Sequence, residues 1–406
     1  MEILRFITAG SVDDGKSTLI GRLLFETGNI SRDEFELVQS KYKTDNGKVD
    51  FSRFTDGLAD ERAKGITIDI AFRYFFTEKR KYIIADSPGH FEYTRNMFTA
   101  ASNADAAIVL VDARHGVTEQ TYRHSLILAL LKVKNVVYAV NKMDCYHYEE
   151  KEFLKIKSVL DDVGKRLKLD STVVPVSALE GENLIQSSRQ MPWYSGPCLL
   201  SFLEKCQPKS NEREGAVAMV QLVVQSENSC RVFAKFYGSF RHKEMVVLPA
   251  GKSYSLVDLW TGGVQGAIPS NGQNISFELP LDTKISRGDL LVENASDFVL
   301  TTSILVKCCH FSEIDLFVSK RYLLKIGTQE TIATVEDLME LLNPATGELN
   351  RYPTRVRLND FAWLRLHTEK PLVLPKDHLE ELRQGILIEI ETNFSCSAFL
   401  VDENGF

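Results

Sequence analysis

The chain has 406 residues, 44% apolar and 25% charged, with a formal net charge of −7. That length exceeds one ordinary core and predicts two or three domains. The acidic balance speaks against a protein whose main task is clamping nucleic acid, and the absence of a long apolar run speaks against a membrane helix.

The chain opens on an apolar strand run, Ile3–Ile7, without the layout of a signal peptide. Cys145, Cys198, Cys206, Cys230, Cys308, Cys309 and Cys396 show no zinc-ligand spacing and no disulfide framework. Reduced thiols in a cytoplasmic protein are the expectation. Up to about residue 205, apolar strand runs (Ile3–Ala9, Tyr82–Ala85, Ala106–Val111, Val136–Val140, Val173–Val176) alternate with helical stretches such as Thr118–Lys132 and Glu149–Leu167. Continuous apolar runs suit parallel strands buried on both faces, which predicts a doubly wound α/β sheet. Ile66–Phe76 reads as a further strand able to hairpin with Tyr82–Ala85. Polar residues from Lys205 to Glu214 predict a linker. Beyond it, Val217–Gln225, Val232–Tyr237, Glu244–Leu248, Asn274–Leu279 and Asp289–Val292 predict a small β-barrel. A second β block follows from about Leu300, with Ser303–Cys309, Tyr322–Ile326, Thr354–Leu358, Ala362–His367 and Gly385–Glu391. The expected domains are 1–208, 209–299 and 300–406.

Gly10-Ser11-Val12-Asp13-Asp14-Gly15-Lys16-Ser17-Thr18 follows the first strand and opens the helical run Thr18–Phe25, the context a phosphate-binding loop requires. Its backbone N–H groups and the helix N-terminus make an anion hole. Lys16 brings a charge to the β and γ oxygens, and the Ser17 hydroxyl can ligate Mg²⁺. Asp86-Ser87-Pro88-Gly89 ends another strand, where the Asp86 carboxylate can reach Mg²⁺ through water and the Gly89 N–H can meet a γ-phosphate. Asn141-Lys142-Met143-Asp144 ends a third. A carboxylate at Asp144 accepts from N1–H and the exocyclic amine of guanine, a donor pair that adenine lacks. Ser177-Ala178-Leu179 follows the last strand and can offer amides to the guanine oxygen. Together these motifs predict a site for GTP and GDP with Mg²⁺ at the carboxyl ends of the strands. Thr67, after Gly65, fits a switch residue that closes on Mg²⁺ when the γ-phosphate is present, and His90 is placed to orient an attacking water.

Glu61-Arg62-Ala63-Lys64-Gly65-Ile66-Thr67-Ile68 and Asp86–His90 resemble the translational GTPases of the elongation factor Tu kind. That resemblance implies an α/β P-loop GTPase domain followed by two small β-barrel domains. Further stretches, Tyr93-Thr94-Arg95-Asn96-Met97, Asp112-Ala113-Arg114-His115-Gly116-Val117 and Met191-Pro192-Trp193-Tyr194-Ser195-Gly196-Pro197, are similar to one branch, the GTPase subunit of the two-subunit bacterial sulfate adenylyltransferase. The resemblance implies a partner: a catalytic adenylyltransferase subunit, of the PP-loop type, that holds ATP and sulfate and forms adenosine 5′-phosphosulfate and pyrophosphate. Hydrolysis of GTP would drive that uphill reaction. Neither a membrane nor a nucleic-acid partner is expected. Cys230–Lys235 and the acidic Pro375–Glu381 differ from the family's usual pattern, and Ser87 stands where threonine is more usual. Two alternatives stay open: a related nucleotidyltransferase with another acceptor, and a translation factor that binds aminoacyl-tRNA.

Overall fold

The computed structural model describes residues 2–42, 47–55, 70–88, 94–208, 213–227, 229–241, 244–343, 348–377 and 379–402, and its chain divides into two compact units. The first is built on a six-stranded sheet in the order β2-β3-β1-β4-β5-β6, formed by β1 (Ile3–Ala9), β2 (Ala71–Phe76), β3 (Lys81–Asp86), β4 (Ala106–Asp112), β5 (Asn135–Asn141) and β6 (Ser171–Pro175). All neighbours run parallel except β2, which pairs antiparallel with β3, as a hairpin there requires. Every residue of β4 is buried, so its unbroken apolar run is what a central parallel strand needs. Strand order jumps from β3 through β1 to β4, and this switch point opens a crevice at the carboxyl ends of the strands.

Helix α1 (Lys16–Glu26) buries Leu19, Ile20, Leu23 and Leu24 against the sheet. Beyond it come α2 (Arg32–Lys41), capped by Ser31, α3 (Thr94–Ser102) and α4 (Glu119–Leu130), whose Thr118 and Thr121 form a reciprocal capping box. In α5 (Glu150–Leu167), Phe153, Ile156, Leu160 and Val163 repeat at helical spacing on the buried stripe; α6 (Leu199–Lys205) closes the unit. The hairpin between β2 and β3 carries Arg80, which is buried and donates to the Cys206 carbonyl at 2.6 Å and the Leu203 carbonyl at 3.4 Å. Arg80 also pairs with Glu2. One side chain thereby satisfies carbonyls that the end of α6 cannot pair internally.

The second unit holds two all-β sheets. In the first, β7 (Val217–Gln225), β8 (Cys230–Tyr237), β9 (Glu244–Leu248), β10 (Lys252–Ser255), β11 (Val257–Thr261), β12 (Val264–Gln265), β13 (Asn274–Leu279) and β14 (Leu290–Val292) wrap around their own core, which includes Ala218, Val232, Phe236, Phe277 and Leu291. In the second, β15 (Phe298–His310), β16 (Arg321–Ile326), β17 (Gln329–Leu342), β18 (Leu349–Asn350), β19 (Phe361–Pro375), β20 (Gln384–Glu389) and β21 (Ser395–Val401) form a barrel that closes through β16–β17 pairing. Val217, Tyr237 and Leu290 pack with Phe298, Val373 and Leu382 to join the two sheets. Arg213 adds ion pairs to Asp297 at 3.2 Å and Asp377 at 2.6 Å.

The expected strand at Thr354–Leu358 is not formed. Only Val356 makes a bridge, with Leu316, because Pro353 lacks an N–H before it and Asn359 turns left-handed (φ 66) after it. The expected strand at Ile66–Phe76 starts at Ala71 among the described residues. All seven cysteines are free; six are buried and Cys145 is exposed. No helix among the described residues is long and apolar enough to cross a membrane.

Replacing Arg80 with Met should leave the α6 carbonyls buried and unsatisfied, at a cost of about 1–3 kcal/mol. A lowered urea midpoint read by near-UV circular dichroism is the expected result.

Candidate nucleotide site

The sequence motifs meet at the carboxyl edge of the first sheet. Residues Gly10 to Gly15 loop from β1 into α1, and Lys16, Ser17 and Thr18 form the first turn of that helix. Gly15, the N-cap, has φ 95 and supplies no capping side chain. A Cβ on Gly15 would stand 2.5 Å from the Asn141 side-chain nitrogen, so only glycine lets the loop pack against the end of β5. With no acidic residue in the first turn and no side-chain cap, the helix N-terminus is built for an external anion.

Within the loop, the Asp14 carboxylate accepts from the Ser11 N–H at 2.5 Å. Burial raises the Asp14 pKa, and the Ser11 N–H and Lys16 partly oppose that. Lys16 is buried too; its ammonium donates to the carbonyls of Gly10 at 3.0 Å and Ser11 at 2.8 Å. Burial lowers the Lys16 pKa, while the carboxylates of Asp86, Asp14 and Asp13 hold it up. A lysine held inside an amide-lined loop among carboxylates has the chemistry to meet a phosphate that carries a divalent cation.

Asp86 ends β3 beside β1, with Thr8 opposite it in register. The Thr8 hydroxyl donates to the Asp86 carboxylate at 2.8 Å, and the Ser87 hydroxyl donates to the Thr8 carbonyl at 2.6 Å. The hydroxyl at position 87 is therefore used as a donor within the site. Pro88 is buried just beyond. Of the residues expected to hold Mg²⁺, Ser17 on α1 and Asp86 lie among the described residues. Thr67, Gly89 and His90 lie outside the described residues.

At the end of β5, Asn141 joins two loops. Its amide nitrogen donates to the Asp14 carbonyl at 2.8 Å, and its amide oxygen accepts from the Ala178 N–H at 2.9 Å. Lys142 sits in left-handed backbone (φ 65) and donates to the Asp13 carbonyl at 2.5 Å. Met143 is fully buried and anchors the turn, while the Asp144 carboxylate accepts from the Ser177 hydroxyl at 2.5 Å. Arg22 of α1 ties down the loop after β6, donating to the Leu179 carbonyl at 2.9 Å and the Glu180 carbonyl at 3.1 Å. Ser177 thus meets Asp144, Leu179 is held by Arg22, and the Ala178 amide is used to hold Asn141. The exposed Cys145 thiol lies 3.8 Å from the Asp144 carboxylate.

The sequence reading gave no site role to Asp112 and Arg114. Asp112 ends β4 opposite Asn141 in register; it is buried and meets Lys142 at 2.8 Å and Arg114 at 2.7 Å. Burial opposes its ionisation, but hydrogen bonds from Arg114 and Lys142 prevail and hold the pKa down to about 2. The signal available was a carboxylate at a strand's carboxyl end, the same position that marks Asp86 and Asn141.

The Elongation factor Tu GTP binding domain family matches residues 1–227. The GTPase-like domain of Ski7 from S. cerevisiae, solved bound to GTP, shares this fold with a TM-score of 0.54 at 15% identity, over 98% of this chain and 97% of that one. Fold and sequence together define a GTP-binding protein of the elongation factor Tu class. Sulfate adenylyltransferase subunit 1 of Saccharophagus degradans is 40% identical over 411 residues, covering 98% of this chain and 87% of the relative. Its namesake from Tolumonas auensis is 39% identical over 412 residues, covering 99% and 87%. The chain belongs to the sulfate adenylyltransferase subunit 1 family. It also matches the bifunctional enzyme CysN/CysC of Xylella fastidiosa, 38% identical over 409 residues, and there spans 66% of the relative's length.

One buried group gives the site a pH signature. His124 of α4 is buried, its Nε2 meets the Gln120 amide at 2.9 Å, and its Nδ1 has no hydrogen-bond partner among the described residues. Burial first, then Lys16 and Arg123, push its pKa from 6.5 down to about 3. The unfolded chain therefore binds a proton between those values that the folded chain refuses. Stability should be full above about pH 6.5 and fall with acidification by up to about 1.4 kcal/mol per pH unit from this group. Urea midpoints between pH 5 and 7.5 should slope less in His124→Gln than in the wild type; parallel slopes would refute the assignment.

Proposed function

We propose that this chain is the GTP-hydrolysing subunit of a sulfate adenylyltransferase. It would couple GTP hydrolysis to the formation of adenosine 5′-phosphosulfate and pyrophosphate from ATP and sulfate on a partner catalytic subunit of the PP-loop type. The observation that carries the nucleotide reading is the Asn141 bridge, which ties the phosphate loop at Asp14 to the base loop at Ala178. Kinship to subunits named for sulfate adenylyltransferase supports the coupled reaction.

In this reading the amides of Gly10 to Gly15 and the Lys16 ammonium hold the β and γ phosphates. Ser17 and Asp86 would hold Mg²⁺, which would neutralise phosphate charge, with Thr67 as the residue that would respond to the γ-phosphate. Asp144 reads the guanine edge, oriented by the Ser177 hydroxyl, while Asn141 and Lys142 fix the loop beneath. Gly89 meets the γ-phosphate and His90 orients the attacking water. Coupling requires that the GTP and GDP states favour different states of the partner. We place the domain boundaries near residues 208 and 299 and the protein in the cytoplasm.

Reconstitution with the partner subunit tests the reading. Sulfate-dependent release of pyrophosphate should require both this chain and GTP; release at full rate without GTP would sink it. Asp144→Asn inverts the donor–acceptor pattern and should move base preference from guanine towards xanthine by at least about tenfold, the scale of one mispaired buried polar group. Competition of GDP against xanthosine diphosphate reads that switch. His90→Ala should slow hydrolysis in single-turnover assays while nucleotide affinity stays within about twofold.

A further inference from the structure

Lys142 makes two contacts. One is the Asp13 carbonyl of the phosphate loop, the other the Asp112 carboxylate at the end of β4. Both Lys142 and Asp13 sit at φ 65, a left-handed conformation that L side chains avoid unless surrounding contacts impose it. The Lys142–Asp13 contact therefore joins two segments each held in disfavoured backbone, and it needs a fixed point. Asp112 supplies one. Its side chain is 1% exposed, whereas Lys142 is 23% and Arg114 45% exposed, so the carboxylate is the buried member against which the two cations settle. Its backbone is pinned as well. The Asp112 carbonyl accepts from the N–H groups of His115 at 3.1 Å and Gly116 at 2.9 Å, and the neighbouring Ala113 N–H donates to the Asn141 carbonyl at 2.9 Å.

Arg114 holds the same carboxylate from the solvent side. Its backbone N–H donates to Oδ1 at 2.9 Å, its Nε to Oδ1 at 3.0 Å and to Oδ2 at 3.2 Å, and its terminal nitrogen to Oδ2 at 2.7 Å. Lys142 takes Oδ2 as well, at 2.8 Å. The carboxylate cannot rotate without breaking these contacts, so the ammonium of Lys142 is aimed at the phosphate loop by geometry set on β4.

We propose that Asp112 is a positioning residue for guanine-nucleotide binding, which acts by aiming Lys142 at the Asp13 carbonyl and so locks the spacing between the phosphate loop and the Asn141–Asp144 turn. The proposal rests on the nucleotide reading above and adds to it a residue that touches neither phosphate nor base. A charged carboxylate is required there, since a neutral isostere would keep the Arg114 backbone contact but no longer hold the ammonium.

The test uses the full chain, a fluorescent N-methylanthraniloyl-GDP probe and a double-mutant cycle. Asp112→Asn should weaken the probe by about tenfold, mostly through faster dissociation, and Asp112→Glu should recover part of the loss. Lys142→Met should weaken it further. In the double variant D112N/K142M the affinity should match K142M within about twofold, because a residue that acts through Lys142 has nothing left to position. Losses that multiply in the double variant would make Asp112 a structural residue only, and unchanged affinity in D112N would also overturn the proposal. If D112N fails to fold by circular dichroism, D112E carries the cycle on its own: a loss that vanishes in the K142M background supports the role, and one that persists there refutes it. A wild-type chain with no preference for guanine over adenine diphosphates would instead bring down the nucleotide reading, and the positioning role with it.

Discussion

The candidate nucleotide site is held together by one side chain at the end of β5. The Asn141 amide is the point at which strand register becomes site geometry. It donates to the loop after β1 and accepts from the loop after β6, so two segments far apart in sequence are set by one rigid planar group. The parallel register that puts Val140 beside Pro175 and Asp112 beside Asn141 brings the strand ends level, and the amide then needs no further adjustment. A shorter side chain would span neither distance. A charged one would lose the donor–acceptor pairing that lets one residue satisfy a carbonyl and an N–H at once.

The surrounding electrostatics follow from that arrangement. Four carboxylates, Asp13, Asp14, Asp86 and Asp112, cluster around two lysines, and most of these groups are withdrawn from water. Such a cluster is stable only if each charge has a specific partner, and the loop carbonyls, Arg114 and the Thr8 hydroxyl provide them. A polyanionic nucleotide enters an environment whose dipoles are already oriented. The chain's contribution to binding is therefore preorganisation more than net charge, in keeping with an overall acidic protein.

Much of this was legible before any coordinates. The parallel strands stood out because burial on both faces demands unbroken apolar runs, as in Ala106–Val111. The phosphate loop and the Asn141–Asp144 turn were readable because their chemistry needs fixed residue types at fixed spacing. The second unit was harder. β17 went unread since bulges between Val335 and Asp337 and between Leu338 and Glu340 break its two-residue alternation. β19 was read as ending at His367, where Thr368, Glu369 and Lys370 interrupt the apolar pattern, yet the strand continues to Pro375. Asp112 escaped for a different reason. Its place at a strand's carboxyl end was readable, but its pairing with Lys142, a neighbour only through the sheet, was not.

Cys145 has a practical consequence. It is the exposed cysteine of the seven, and its thiol lies against the carboxylate assigned to the guanine edge. Burial and the Asp144 charge both raise its pKa, which makes it a slow nucleophile at neutral pH and a better one in mild alkali. The native chain thus carries its own attachment point for a thiol-directed dye beside the carboxylate proposed to read the base. Footprinting at that single sulfur tests the proposed base site without removing any other cysteine.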